Sequence, residues 1–259
     1  MASRVAVVTG AARGIGAATV TALARAGWSV VAVDACADDP ALGYSLATRS
    51  ELDALAAVGE VTTLVADVRD VAALADAVDA AVTSYGGLDA AIAVAGVIAG
   101  GAPHWQTDVA AENVVVDVDL VGVMNLARVA VPAMLRRPEP RHGRFLAVAS
   151  AAAVRGLPNL AAYCAAKAGV AGFVRGLAAD LRGTGVTANA VSPGSTDTAM
   201  LAESARMYDL GSVDVFAQQQ PVERLIAPEE IAQALVWLAA AETDAVTGAT
   251  IPVDGGLAL

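Results

Sequence analysis

The sequence predicts an α/β, doubly wound fold: a seven-stranded parallel sheet flanked by helices, in a single domain over 1–259. Three observations carry this expectation. Short β-branched runs alternate with Ala-rich helical stretches along the chain. Those runs are apolar almost throughout, not at every second residue, as strands buried on both faces require. No repeat, linker or low-complexity break divides a chain of 259 residues, which is long enough to bury a substantial core.

The elements follow in order. "VAVVTG" (5–10) is the first strand candidate, and a glycine-rich turn leads into a helical pattern near 14–26. "SVVAVD" (29–34) is the second strand. Residues 35–47 then show neither helical nor strand period and carry Pro40 and Gly43. Loops of that length are uncommon, and are usually functional or disordered. Thr48 and Glu51 form a T-x-x-E capping box, so the next helix starts late, near Arg49, and runs to about 58. "VTTLVAD" (61–67), a helix near 70–85, "DAAIAVAG" (89–96) and a long helix near 108–136 come next. "GRFLAVAS" (143–150), a helix near 161–183 and "VTANAVSP" (186–193) continue the alternation. The segment 199–220 is weakly periodic and mixes Met200, Leu201, Met207, Tyr208, Leu210 and Phe216 with polar residues; it reads either as a substrate lid or as two surface helices. A helix near 228–241 and "GATIPVDGG" (248–256) close the chain. Right-handed crossovers between parallel strands wind the helices over both faces.

Hydrophobic residues make up 56% of the chain, much of it Ala, the best helix former. Asp, Arg or Gly breaks the apolar runs well short of the ~20 residues of a membrane span. The N-terminal residues enter a strand at once, leaving no room for a signal peptide, so a cytoplasmic location is expected. A net charge of −11 argues against nucleic acid or an anionic membrane as partner. Cys36 and Cys164 suit no zinc spacing and are expected to be free thiols. His104 and His142 stand alone, so no metal site is expected.

Gly10, Gly14 and Gly16, with Arg13 and Ile15 between them, lie where the first strand meets the first helix. Such glycines allow close backbone approach, and a helix N-terminus offers free N–H groups to a pyrophosphate, as in Rossmann-like sheets. A plain glycine-rich turn would look the same. Asp34 ends the second strand, where a carboxylate accepts bonds from both ribose hydroxyls and repels a 2′-phosphate, favouring NAD over NADP. Asp67 and Val68 end the third strand, at the adenine edge. Arg13 is the contrary sign, since an Arg there can accommodate a 2′-phosphate.

Tyr163 and Lys167 are spaced i, i+4 and so project from one helix face. Ser150 closes a strand, where carboxyl ends face a cofactor crevice. With "TGAARGIG" (9–16), "DV" (67–68), "AG" (95–96), "YCAAK" (163–167), "SPGSTDT" (192–198) and "VDGG" (253–256), the chain resembles the short-chain dehydrogenases/reductases over nearly its full length. That resemblance implies Tyr163 as acid/base, Lys167 as the cation that favours its phenolate and holds the nicotinamide ribose, and Ser150 as hydrogen-bond partner of the substrate oxygen. It also implies Ala95, Gly96, Pro193, Gly194, Thr196 and Thr198 as cofactor residues. Residues 1–100 would then be mainly the NAD-binding half and 101–259 the catalytic half, with a substrate loop at about 199–220. A homotetramer is implied as well.

Two positions depart from the family pattern. Val94 stands where an Asn usually precedes "AG", a loss that local packing is expected to absorb. Asp119 in "VDVDLVGV" replaces the family's helix-four Asn, whose backbone carbonyl helps a water connect the Lys to solvent. A carboxylate near Lys167 would offset the positive field on Tyr163, so Asp119 joins the candidate catalytic set; a solvated side chain without effect is the alternative.

The loop wording "VDACADDP…GYSLATRSELDAL" resembles the mycofactocin-associated, carveol-dehydrogenase-like subgroup. This implies a non-dissociating NAD, reoxidised by mycofactocin, and a small hydrophobic secondary alcohol or ketone as substrate, with Val154 and Leu157 adding apolar surface after Ser150. The same chemistry with freely exchanging NAD, and a non-catalytic NAD-binding regulatory protein, are the alternatives.

Overall fold

The computed structural model describes residues 3–259. Seven strands form one sheet: β1 (Val5–Thr9), β2 (Ser29–Asp34), β3 (Val61–Val65), β4 (Ala90–Ala93), β5 (Gly143–Val148), β6 (Val186–Pro193) and β7 (Thr250–Val253). Their order is β3-β2-β1-β4-β5-β6-β7, and every pairing is parallel. The predicted doubly wound fold is the one observed. Strand order reverses between β1 and β4, so the loops leaving them diverge and open a crevice at the carboxyl ends.

Consecutive strand residues feed opposite layers. Val7 and Val31 join a cluster with Leu74 of α3 (Val71–Tyr85), Leu126 of α5 (Gly122–Leu135) and Val174 of α6 (Ala161–Asp180). Val8 and Ala32 join another with Leu23 of α1 (Gly14–Arg25) and Leu235 of α8 (Pro228–Ala239). Because both faces are covered, no polar alternation marks these strands in the sequence.

The edges of several elements differ from expectation. The strands predicted at 89–96 and 248–256 end at Ala93 and Val253, and after Ala93 the chain leaves the sheet to line the crevice. The helix predicted at 49–58 keeps α geometry only through α2 (Arg49–Ala54) and tightens into a 3₁₀ turn over Leu55–Ala57. Its T-x-x-E box forms, with Thr48 N donating to Glu51 Oε2 at 2.7 Å and Glu51 N to Thr48 Oγ1 at 3.3 Å. The long helix predicted at 108–136 is interrupted: α4 (Val109–Val116) passes through a π turn, Asp117–Val121, before α5. The segment 199–220 forms two short helices, α7 (Ala199–Met207) and a 3₁₀ stretch, Val213–Gln219. Among the described residues, no helix is long and apolar enough to cross a membrane.

Candidate active site

The glycine turn after β1 is shaped by space. Gly10 has φ +66°, and a Cβ there would stand 2.5 Å from the Ala95 backbone. A Cβ on Gly16 would stand 1.9 Å from the Gly10 carbonyl oxygen. Helix α1 follows with no side-chain cap from Arg13, which leaves its first-turn N–H groups open to an anion. Asp34 Oδ2 accepts from Ala12 N at 3.0 Å and Oδ1 from Cys36 N at 3.2 Å, fixing the carboxylate at the end of β2. The Arg13 guanidinium donates to the Ser45 carbonyl at 3.2 Å, so it is engaged by the 35–47 loop.

Asp67 is less free than its sequence position suggests. Its carboxylate accepts from Arg69 N at 2.8 Å and from Arg69 Nη2 at 2.6 Å, while Arg69 Nη1 reaches Asp39 Oδ2 at 2.8 Å. Burial works to raise the Asp67 pKa, but the Arg69 bonds hold it below the ordinary carboxylate value. Arg69 thereby ties the end of β3 to the long loop, a role its place two residues after Asp67 could have signalled.

That loop is ordered. Asp38 Oδ1 accepts from Leu46 N at 2.7 Å, Asp39 Oδ1 accepts from Ala41 N at 3.0 Å, and Leu42 and Ala47 are buried. Tyr44 packs on the core, and its Oη accepts from Ile98 N at 3.0 Å across the crevice. Tyr44 went unnoticed in the sequence; its one signal is an aromatic ring in a loop of small residues.

Ser150 follows β5 in extended conformation, and its Oγ accepts from Ala152 N at 3.1 Å. Tyr163 and Lys167 both lie buried on α6, with Lys167 Nζ 5.6 Å from the Tyr163 ring centre. Nζ donates to the Val148 carbonyl at 3.1 Å and stands 3.2 Å from Asp119 Oδ2. Asp119 is fully buried, and its Oδ1 accepts from Val97 N at 2.7 Å. The alternative of a solvated Asp119 is therefore corrected: the π turn rotates this residue into the core, and π turns recur at functional sites. Gly169 lets α6 close on that turn, since a Cβ there would meet Leu120 Cδ2 at 2.8 Å.

The electrostatics differ from expectation in one respect. Burial pushes the Tyr163 phenol up from its ordinary value; Lys167 pulls it down, Asp119 pushes it further up, and the Ser150 hydroxyl pulls it down. The net direction from the protein's own groups is upward, so Lys167 alone does not prepare a phenolate. Burial would lower the Lys167 pKa, but Asp119 and Tyr163 outweigh it and the shift is upward. Burial pushes the Asp119 carboxyl up as well, against the pull of Lys167 and the Val97 N–H, so the pair balances desolvation against mutual attraction.

Every residue assigned to the cofactor from the sequence, from Gly10 to Thr198, lines one cleft of about 1510 Å³, and so do Ser150, Tyr163 and Lys167. This exceeds the roughly 300–1,000 Å³ usual for small ligands and suits a dinucleotide with a substrate beside it. Asp119 lies behind the wall. Met200, Leu201, Tyr208, Leu210 and Phe216 give the 199–220 end an apolar face, braced by Tyr208 Oη donating to the Pro158 carbonyl at 2.6 Å. Leu157 lines the cleft as expected, but Val154 is 76% exposed and does not. The side chain at Val94 packs on the α1/α8 layer.

Residues 10–258 match a family model described as Enoyl-(Acyl carrier protein) reductase, which spans the glycine turn, Ser150, Tyr163 and Lys167 together. The chain belongs to the short-chain dehydrogenase/reductase family. Its relatives within that oxidoreductase family include the cis-4-hydroxycyclohexanecarboxylate dehydrogenase of Sinomonas cyclohexanicum, 40% identical over 98% of this chain and 96% of that protein. The (−)-trans-carveol dehydrogenase of Rhodococcus erythropolis is 33% identical over 99% of this chain and 98% of that protein. Among solved structures, a carveol dehydrogenase from Mycobacterium avium in complex with NAD superimposes with a TM-score of 0.92 at 30% identity, covering 99% of this short-chain dehydrogenase/reductase and 98% of the other chain.

Proposed function

We propose that this enzyme interconverts a small hydrophobic secondary alcohol and its ketone with NAD, which it retains between turnovers and which mycofactocin reoxidises. One observation carries the chemistry: the glycine turn, Asp34, Ser150, Tyr163 and Lys167 line a single cleft. The residues present fit NAD. The uncapped first turn of α1 opens on the cleft, where its N–H groups can meet a pyrophosphate, and the Asp34 carboxylate can meet ribose hydroxyls and oppose a 2′-phosphate. With Arg13 held by Ser45, the contrary sign weakens.

NAD, when bound, would supply the hydride acceptor or donor and, when oxidised, a positive charge that favours the Tyr163 phenolate. In alcohol oxidation the Tyr163 phenolate takes the hydroxyl proton, and the Ser150 hydroxyl orients the reacting oxygen. Lys167 stabilises that phenolate and holds the nicotinamide ribose, while the Val148 carbonyl and Asp119 hold its ammonium in place. The apolar face from 199–220 favours a hydrophobic substrate, in line with the cyclic alcohols named for the two dehydrogenase relatives.

Retention is supported by the ties of 35–47 to Arg69, Arg13 and Ile98, since affinity differences appear mainly in the dissociation rate. Mycofactocin as acceptor rests on the resemblance of the loop segment. Assembly as a tetramer is supported by partly exposed Val121, Met124 and Trp237 on α5, its preceding turn and α8.

Denaturing the purified protein should release stoichiometric NAD, and added carveol should reduce it in a single turnover. Tyr163→Phe should lower that rate by about 10²–10⁴-fold. Free exchange with added NAD and steady turnover on it would replace retention with the ordinary reading; hydride transfer unaffected by Tyr163→Phe would remove the catalytic assignment.

A further inference from the structure

We propose that Tyr44 is a positioning residue that links the loop over the cofactor cleft to the buried Asp119–Lys167 pair. Two consecutive backbone N–H groups carry the link. Val97 N donates to Asp119 Oδ1 at 2.7 Å, and Ile98 N donates to Tyr44 Oη at 3.0 Å. One acceptor belongs to the catalytic wall and the other to a loop more than fifty residues earlier in the chain. The two donors sit on adjacent peptide planes hinged at Val97 Cα, so pinning Ile98 N restrains the two dihedrals that aim Val97 N.

The same step of chain lies against the ion pair itself. A Cβ on Gly96 would stand 3.4 Å from both Asp119 Oδ2 and Lys167 Nζ. When the loop is down, the 96–98 backbone is pinned at Ile98 and aims Val97 N at the carboxylate, which in turn aims Oδ2 at the ammonium. When the loop lifts, Ile98 N loses its partner, the two peptide units are free to turn about Val97 Cα, and Val97 N is aimed less firmly at Asp119. The pair that sets the field on Tyr163 is thus tightest when the cleft is covered.

Tyr44 suits this part. Its ring packs on the core layer that also holds Tyr163, and its hydroxyl accepts the Ile98 bond. Among the described residues its own proton has no protein acceptor, so it remains for an acceptor in the cleft that Tyr44 lines. Burial first, and Asp119 among the nearby charges, push this phenol up to about 12, so it stays protonated through the working range. The charged groups bearing on Tyr44 are Asp119, Arg13 and Glu203; those bearing on Tyr163 are Lys167 and Asp119, with Ser150 and Cys164 also facing it.

This inference rests on the reading of Tyr163 as the acid/base, and its test does not require the substrate to be known. The ionisation midpoint of Tyr163 is read from tyrosinate absorbance, as the difference between each protein and its Tyr163→Phe derivative. NAD exchange is followed separately with isotopically labelled NAD on the holoenzyme. Tyr44→Phe, which keeps the ring, should speed NAD exchange and lower the Tyr163 midpoint by about half a pH unit or more, as Asp119 loses its hold. Asp39→Asn, which removes the tie to Arg69 but leaves the Tyr44–Ile98 bond to hold the loop down, should speed exchange and move the midpoint less than Tyr44→Phe does. In an Asp119→Asn background, Tyr44→Phe should move the midpoint no further, because the group it acts through is gone. An unchanged midpoint in Tyr44→Phe, or an equal shift in the Asp119→Asn background, overturns the link. Hydride transfer that survives Tyr163→Phe overturns the underlying site reading instead, and does so independently of these midpoints.

Discussion

Asp119→Asn isolates one charge with little change of shape. An Asn oxygen can still accept from Val97 N, so the 2.7 Å bond that anchors the side chain is retained. What is lost is the negative charge 3.2 Å from Lys167 Nζ, which pushes the Tyr163 phenol up. Removing one charge that acts on a neighbouring group through an effective dielectric of about 20 is worth on the order of 1–2 kcal/mol, or about one pKa unit. Part of this is offset because Lys167 also loses its partner and some of its own charging. Alcohol oxidation accelerates as Tyr163 ionises. A lower Tyr163 pKa therefore moves the alkaline-rising limb of kcat down by about one pH unit. The assay is single-turnover reduction of bound NAD, followed by its absorbance from pH 6 to 11. An unmoved limb means that the carboxyl is already neutral opposite Lys167, and a limb moved upward means that Asp119 helps Lys167 more than it opposes Tyr163; either refutes the reasoning.

Other outcomes follow from single contacts. Gly16→Ala forces a methyl to 1.9 Å from the Gly10 carbonyl, so the purified variant should retain no NAD while keeping its far-ultraviolet circular dichroism. Asp34→Asn removes the charge that meets ribose hydroxyls and should weaken NAD binding about 10–100-fold while relieving the bias against NADP, as measured by calorimetry on apoprotein. Arg224 and the Ala227 N–H hold Glu230 at a pKa of about 2, down from 4.5. The stability this contributes is present above the unfolded value and is lost as pH falls towards 2. Denaturant midpoints should show Glu230→Gln less stable than the parent at pH 7 and the gap narrowing below pH 4.5.

The strands and the glycine turn were legible because their signals are local: apolar runs, turn residues and a capping box act within a few positions. Ser150, Tyr163 and Lys167 stood out by their spacing, and the family resemblance implied their roles. What escaped depends on contacts between distant segments. "VDVDLVGV" reads as part of a continuous helix and leaves open whether Asp119 meets Lys167 or solvent, because nothing local announces the π turn on which α6 closes at Gly169. Arg69 captures Asp67 from two residues away, yet its second bond is to Asp39 on another loop. Tyr44 was hidden for the same reason, since its partner is the Ile98 backbone. Val154 is apolar and close to Ser150 in sequence, but the 3₁₀ turn Ala151–Ala153 carries it outward.

The ordered stretch 35–47 also bears on thermodynamics. A soluble coenzyme equilibrates an enzyme with the cell-wide ratio of NADH to NAD⁺, so flux follows that ratio. If NAD is retained as proposed, the ties of this loop to Ile98, Arg69 and Arg13 would insulate it from that ratio, and it would behave as a fixed redox centre with its own midpoint potential. Direction would then be decided by whichever external acceptor can reach the reduced nicotinamide edge, and each protein would work as a two-electron relay between one alcohol and that acceptor.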